Sequence, residues 1–189
     1  VMPDRMGFGT LAWAAAMTDG ELMLPYGRLD LLGSAAVSFA AAGVDLRETE
    51  GGIIARRGDS GLRGIDLTTQ PFPGFATDLQ APTMGLLTVA AGASAISETI
   101  FEQRFRHVDE LRKMGADIAV HGRTARVRGV DRLRGAAVTC TDVRAAAALV
   151  LGGLAASGDT LLDGLDHLDR GYDRMTEKLA ACGAAVART

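Results

Sequence analysis

The chain has little cysteine, few histidines and no surplus of basic charge, and each shortage excludes something. Cys140 and Cys182 supply neither a disulfide framework nor metal-ligand spacing, so a reducing, cytoplasmic setting is the expectation. His107, His121 and His167 are too dispersed to suggest a site by themselves. The 20 Lys and Arg residues stand against 23 Asp and Glu, and no basic run exceeds the Arg56-Arg57 pair. That leaves no electrostatic footprint for nucleic acid. A long uninterrupted apolar run is also missing. Leu79 to Ser97 carries no charge over 19 residues, but Gln80, Pro82, Gly85, Gly92, Ser94 and Ser97 interrupt it. It reads as a buried helix followed by a strand, not as a membrane span. No signal-peptide pattern is visible, and no linker is long or polar enough to mark a domain boundary. The 189 residues suffice for a real core. They open at Val1 rather than Met, just before Pro3-Asp4-Arg5, which reads as a cut inside a longer polypeptide.

What the chain does have is repetition. Thr77 to Val120 begins with a Thr-Asp pair suited to opening a helix, Thr77 as a cap and Asp78 at the positive helix end. An uncharged segment of mostly small residues follows to Ala91 and stops at Gly92. Ser94 to Ile100 alternates like a strand. Phe105, Val108, Leu111 and Met114 then share one face of an amphipathic helix that ends at Gly115. Asp117 to Val120 starts another strand. Thr141 to Val186 repeats this grammar, with Thr141 64 residues after Thr77 and Gly183 68 after Gly115. A fainter copy runs from Gly9 to Leu46, with stops at Gly20 and Gly43. Such a threefold repeat ranks above any other fold signal, and the units fall at about residues 9–68, 77–138 and 141–189.

Between these units, Val1 to Arg5 is an entry segment in which Pro3 delays the first helix. Leu11 to Met17 is apolar on every side, and Glu21 to Leu24 is a short strand. Leu31 to Ala42 holds the place of an amphipathic helix yet carries no charge. It is either a weakly polar face or a face covered by a partner or by a further part of the protein. Asp45 to Arg57 and Gly61 to Thr68 read as strands, and Thr124 to Val138 as two short strands around Asp131 to Gly135. Three wholly apolar helices alternating with three amphipathic ones predict an inside-out α/β barrel of three βαβαββ-type repeats. Its three buried helices would lie parallel, with strands and amphipathic helices wrapped round them. Three N-termini at one end would favour an anionic ligand there.

Charged residues gather at that end. Asp78 and Asp142 open apolar helices, with Arg144 two residues beyond the latter. Glu102 and Arg104 flank an amphipathic helix start, Asp169-Arg170 holds the matching place in the third unit, and Asp4-Arg5 precedes the first apolar helix. Repeated carboxylates and arginines suit a rim that grips carboxylate or phosphate. Helix capping and structural ion pairs are the bland alternative for each residue alone.

The segments TDLQA, ETIFEQRFRHV, KMGAD, TDVRAAAALVL and HLDRGYDRMTEKL resemble the UDP-N-acetylglucosamine enolpyruvyl transferase family, as does VMPDR followed by Gly9-Thr10. The resemblance covers essentially the whole chain. It implies the second of two similar inside-out α/β domains that face each other across a cleft. It also implies transfer of the enolpyruvyl group of phosphoenolpyruvate to the 3-hydroxyl of UDP-N-acetylglucosamine, in peptidoglycan synthesis and so in cell shape and division. By the same resemblance Asp78 is the base at the sugar hydroxyl and Ile100 lines the nucleotide pocket. Arg104 and Arg144 grip the phosphoenolpyruvate carboxylate, Arg170 approaches its phosphate, and Asp142 and Glu102 support proton transfer and hold the arginines. Asp4 belongs to the same polar rim. The family's reactive cysteine lies on the other domain, so Cys140 and Cys182 are expected to be packing residues. No metal or organic cofactor is expected. Departures from the family pattern stand at Gly7-Phe8, Pro82, Gln103 and Val143. Pro82 predicts a shifted or shortened first helical turn. Two rivals are a related shikimate-pathway transferase and a non-catalytic relative that binds an anionic metabolite or a protein. A parent of about 400–450 residues fits two such domains.

Overall fold

Residues 4–188 are described by a computed structural model; the entry reading for Val1 to Pro3 lies outside them. The first apolar helix, α1 (Arg5–Met17), starts ahead of its apolar run because Asp4 caps it, accepting from the Met6 N–H at 2.9 Å. Strand β1 (Glu21–Pro25) follows, with Asp19 rather than Gly20 taking the left-handed backbone at the stop. The uncharged segment divides into a 3-10 turn, Leu29–Leu32, and a short helix α2 (Ala35–Ala41). Leu32, Ala35 and Phe39 are buried on it, whereas Val37 is 72% exposed. Strands β2 (Val44–Thr49) and β3 (Gly52–Arg57) complete a three-stranded antiparallel sheet with β3 in the centre. Of the strand expected over Gly61 to Thr68, only β4 (Leu67–Thr68) forms, with a single bridge from Arg63 to Ala91.

In the second unit a 3-10 turn, Thr77–Leu79, precedes helix α3 (Gln80–Leu87). Pro82 lies in the first turn of α3, where a backbone N–H has no partner within the helix and proline is tolerated. Strand β5 (Ala93–Ser97) stops three residues short of Ile100. The amphipathic helix α4 (His107–Lys113) starts later than expected. Residues 102–106 form turns, and Gln103 is held at φ +55°. Strands β6 (Asp117–His121) and β7 (Thr124–Arg128) form a hairpin with β7 central, and β4 joins parallel to β5.

Short strands β8 (Leu133–Arg134) and β9 (Ala137–Thr139) lead to the third buried helix, α5 (Val143–Ala155). Strand β10 (Ala156–Ser157) pairs parallel with β8, and β11 (Leu161–Asp163) with β9. Helices α6 (Asp166–Asp169) and α7 (Met175–Ala181) close the chain. The strand expected after Gly183 does not form: among the described residues 184–188 pair with no strand. The glycines after α2, α4 and α7 are nevertheless alike, with φ of +87°, +92° and +93° at Gly43, Gly115 and Gly183. Each ends its helix in a backbone conformation open to glycine at no steric cost.

The inside-out arrangement follows from burial. Every residue of α3 is buried, as are Ala145–Leu149 of α5 and Ala12–Met17 of α1. These three helices touch one another, and the strands of the described residues form four separate sheets outside them. Helices α3 and α5 run in the same direction. Asp78 meets Arg144 where they begin, and Gly85 backs onto Ala148 further along, where an added Cβ would lie 3.1 Å from the Ala148 carbonyl. Small residues on both helices permit that approach.

Candidate functional site

The starts of α3 and α5, with the turns ahead of α4, place three charged side chains together. Asp78 Oδ1 lies 3.3 Å from Arg104 Nη1 and 3.3 Å from Arg144 Nη1, so one carboxylate oxygen bridges two guanidiniums. The Arg104 side chain is only 15% exposed, and its guanidinium lies over the Phe101 ring, 4.2 Å from the centroid. Asp78 is 48% exposed and faces outward from the 3-10 turn. A fourth group, Asp142, caps α5. Its Oδ1 accepts from the N–H groups of Arg144 at 2.8 Å and Ala145 at 3.1 Å. Arg144 Nε lies 3.4 Å from the same oxygen without making a hydrogen bond, and this buried nitrogen has no hydrogen-bond partner among the described residues. Burial pushes the Asp142 pKa up, but the two N–H donors and the charges of Arg144 and His107 bring it below the ordinary value.

The other expected residues are not gathered with these. Ile100 is half-buried, and its N–H donates to Glu98 Oε1 at 2.8 Å. Glu102 is exposed, with no hydrogen bond or ion pair among the described residues. Arg170, 72% exposed, pairs with Asp166 at 3.8 Å within its own segment, while Asp169 pairs with Arg188. Asp4 is exposed and capping. Thr77 does not cap its helix: its hydroxyl donates to Glu98 Oε2 at 2.8 Å. Cys140 is buried, and burial pushes its thiol up to about 11, which leaves it unreactive. Cys182 is exposed, contrary to a packing role.

Three residues of this region were not singled out from sequence. The buried Tyr172 hydroxyl pairs with the Thr10 hydroxyl at 2.9 Å and joins α1 to the third unit. Burial pushes its pKa up to about 12, and the charges of Asp4 and Asp78 add to the rise. His107, 2% exposed, sets Nε2 3.2 Å from Met84 Sδ, and burial pushes it down to about 4 against the pull of Asp142. It is neutral at physiological pH. Glu98 accepts four hydrogen bonds at the end of β5. A signal for Glu98 was present: Ser94, Ile96 and Glu98 alternate onto the buried face. Tyr172 and Thr10 lie 162 positions apart, and no local pattern connects them.

This arrangement can bind an anion and hold a carboxylate near a hydroxyl. Comparison with known proteins gives it a context. The family model described as EPSP synthase (3-phosphoshikimate 1-carboxyvinyltransferase) matches residues 1–179. A UDP-N-acetylglucosamine 1-carboxyvinyltransferase of Rhodospirillum centenum is 52% identical over the whole chain, which spans 44% of that relative. One of Gluconobacter oxydans is 53% identical, with 45% of its length spanned. The chain therefore spans less than half the length of these curated relatives. The crystal structure of the enolpyruvyl transferase NikO from Streptomyces tendae superposes with a TM-score of 0.88 at 29% identity, over 97% of this chain and 44% of that one. EPSP synthase from Acinetobacter baumannii shares the fold, with a TM-score of 0.60 at 19% identity over 86% of this chain and 39% of that one. The chain belongs to the EPSP synthase (3-phosphoshikimate 1-carboxyvinyltransferase) family of enolpyruvyl transferases.

Proposed function

We propose that this chain is a single domain, built of three repeats, and forms the second, closing domain of a two-domain enolpyruvyl transferase. The enzyme would move the enolpyruvyl group of phosphoenolpyruvate to the 3-hydroxyl of UDP-N-acetylglucosamine. The observation that carries this reading is the Asp78 carboxylate held between Arg104 and Arg144 at the starts of two buried helices. The two arginines, with the helix ends behind them, are a site for the substrate carboxylate. An arriving anion replaces Asp78 on the guanidiniums and leaves that carboxylate free to take the proton of the sugar hydroxyl. Asp142 holds Arg144 in place through the cap. Arg170 and Glu102, which lie apart from this cluster, would meet the substrate phosphate and assist proton transfer once the cleft closes, while Ile100 borders the nucleotide and Asp4 the rim. The names of the curated relatives support the choice of acceptor. Peptidoglycan synthesis, with its consequences for cell shape and division, and a cytoplasmic location follow from that choice.

Phosphate release from phosphoenolpyruvate with UDP-N-acetylglucosamine tests the reading. The full polypeptide that carries this domain should turn over, whereas the 189-residue chain should not, because it supplies one wall of the cleft. Turnover by the domain alone defeats the half-enzyme reading, and turnover only with a 3-phosphoshikimate acceptor defeats the choice of substrate.

A further inference from the structure

Glu98 directly follows β5 on its buried side, 1% exposed, and its carboxylate is fully engaged. Oε1 accepts from the Thr69 hydroxyl at 2.9 Å and from the N–H groups of Ile100 and Phe101 at 2.8 and 3.0 Å. Oε2 accepts from the Thr77 hydroxyl at 2.8 Å. The backbone is clamped too. The Glu98 N–H donates to the Arg123 carbonyl at 2.8 Å, and Arg123 Nε donates to the Glu98 carbonyl at 2.8 Å. Burial alone would push the Glu98 pKa up, yet the Phe101 N–H, the two threonine hydroxyls and the Ile100 N–H bring it below the ordinary value.

A buried carboxylate is a costly way to fill space, and an apolar residue of similar volume is often as stable or more so. What an apolar residue cannot do is join these particular donors. Thr77 immediately precedes Asp78. Ile100 and Phe101 open the loop that leads to Arg104, whose guanidinium rests on the Phe101 ring and pairs with Asp78. The contacts close a circuit from Glu98 through Thr77 to Asp78, across to Arg104, and back through Phe101. We infer that Glu98 is a positioning residue that sets the separation of Asp78 from Arg104, through Thr77 on one side and the Ile100-Phe101 turn on the other. This rests on the reading that Asp78 and Arg104 face the substrate.

Thr77→Val in the full polypeptide keeps the side-chain shape and removes the hydroxyl arm. It should lower kcat by on the order of 10-fold or more and change KM less, with the melting temperature lowered only as far as one lost donor to a buried carboxylate requires, while Thr77→Ser restores kcat. Glu98→Gln should also lower kcat, and the double variant should be no worse than the more severe single one, because both act through one contact. A purely structural role predicts the lower melting temperature alone, with kcat intact in the folded fraction. Wild-type kcat in Thr77→Val, or losses that simply add, would overturn the inference, and Thr77→Val carries the test if Glu98→Gln does not fold. Asp78→Asn separates the two readings. If it retains kcat, the role of Asp78 as a base is wrong, and Glu98 is then judged on crystal structures of Thr77→Val. There the Asp78–Arg104 pair should open beyond the roughly 4 Å of an ion pair; an unmoved pair overturns the inference.

Discussion

At the start of α5, Asp142 turns its carboxylate back onto its own helix and satisfies the N–H groups of Arg144 and Ala145. At the start of α3, 64 residues earlier in the chain, Asp78 turns its carboxylate away from the helix, across to Arg104 and Arg144. Both belong to a Thr-Asp pair in the same place of the repeat. The backbone at Asp142 is extended, with φ −161° and ψ 173°, which brings the side chain over the exposed donors. At α3 a 3-10 turn intervenes, and Pro82, four residues after Asp78, has no N–H to give the Asp78 carbonyl as Ala146 gives the Asp142 carbonyl. Thr77, freed from capping, is held by Glu98 instead. The same dipeptide is thus a structural cap in one unit and a presented carboxylate in the other, and the state of the first helical turn makes the difference.

That contrast can be broken by substitution in the full polypeptide. Asp78→Ala should lower kcat by roughly 10²- to 10⁴-fold, the usual worth of a positioned general base, with little change in melting temperature. A lowered melting temperature with normal kcat would make Asp78 another structural residue. Arg144→Ala should cost about 2–4 kcal/mol of transition-state stabilisation, read from kcat/KM. Arg144→Lys should recover little of it, since a point charge cannot make the two-pronged grip; full recovery would exclude that grip.

The buried face behind Asp142 sharpens the comparison through pH. The folded His107 titrates near 4, below its usual value of 6.5. Below pH 6.5 the unfolded chain therefore binds a proton that the folded chain refuses. Stability should fall by about 3 kcal/mol between pH 6.5 and 4, and His107→Leu should flatten that part of a urea-midpoint profile. An unchanged slope would show that His107 is protonated in the fold. Asp142, whose folded pKa is lowered, contributes stability above the ordinary carboxylate range and loses it as pH falls through the folded value. The smallest expected effect is that of Asp142→Ala, about 1 kcal/mol for a lost cap. Because Asp142 opposes the depression of His107, the same variant should lower the His107 titration further, as followed by NMR. No change in either quantity would place Asp142 with Asp78 rather than against it.

Much of the fold was legible because hydrophobic pattern and helix stops are local properties. Helix α5, the strands β2, β3, β6 and β7 and the glycines after α2, α4 and α7 lie where periodicity and turn chemistry put them. The late start of α4 was not legible. The N–H groups of Ile100 and Phe101 are taken by Glu98, and Gln103 is left-handed, so the amphipathic pattern of residues 101–106 is overridden by a contact outside the pattern. The strand after Gly183 fails for a related reason, since a strand needs a neighbour to pair with and none lies beside it among the described residues.

The candidate site divides along the same line. Asp78, Asp142, Arg104 and Arg144 could be picked from their places in the repeat, because the repeat brings equivalent helix starts to one end. Which of them meet was decided by tertiary structure. Arg104 and Arg144 reach Asp78 across 26 and 66 positions of sequence, while Arg170, equally prominent in its motif, turns to Asp166. The sequence by itself determined three buried helices with charged starts, since burial and helix polarity follow from local composition. Which carboxylate caps and which is presented depended on donors brought in from other units, and only the packed chain settles those.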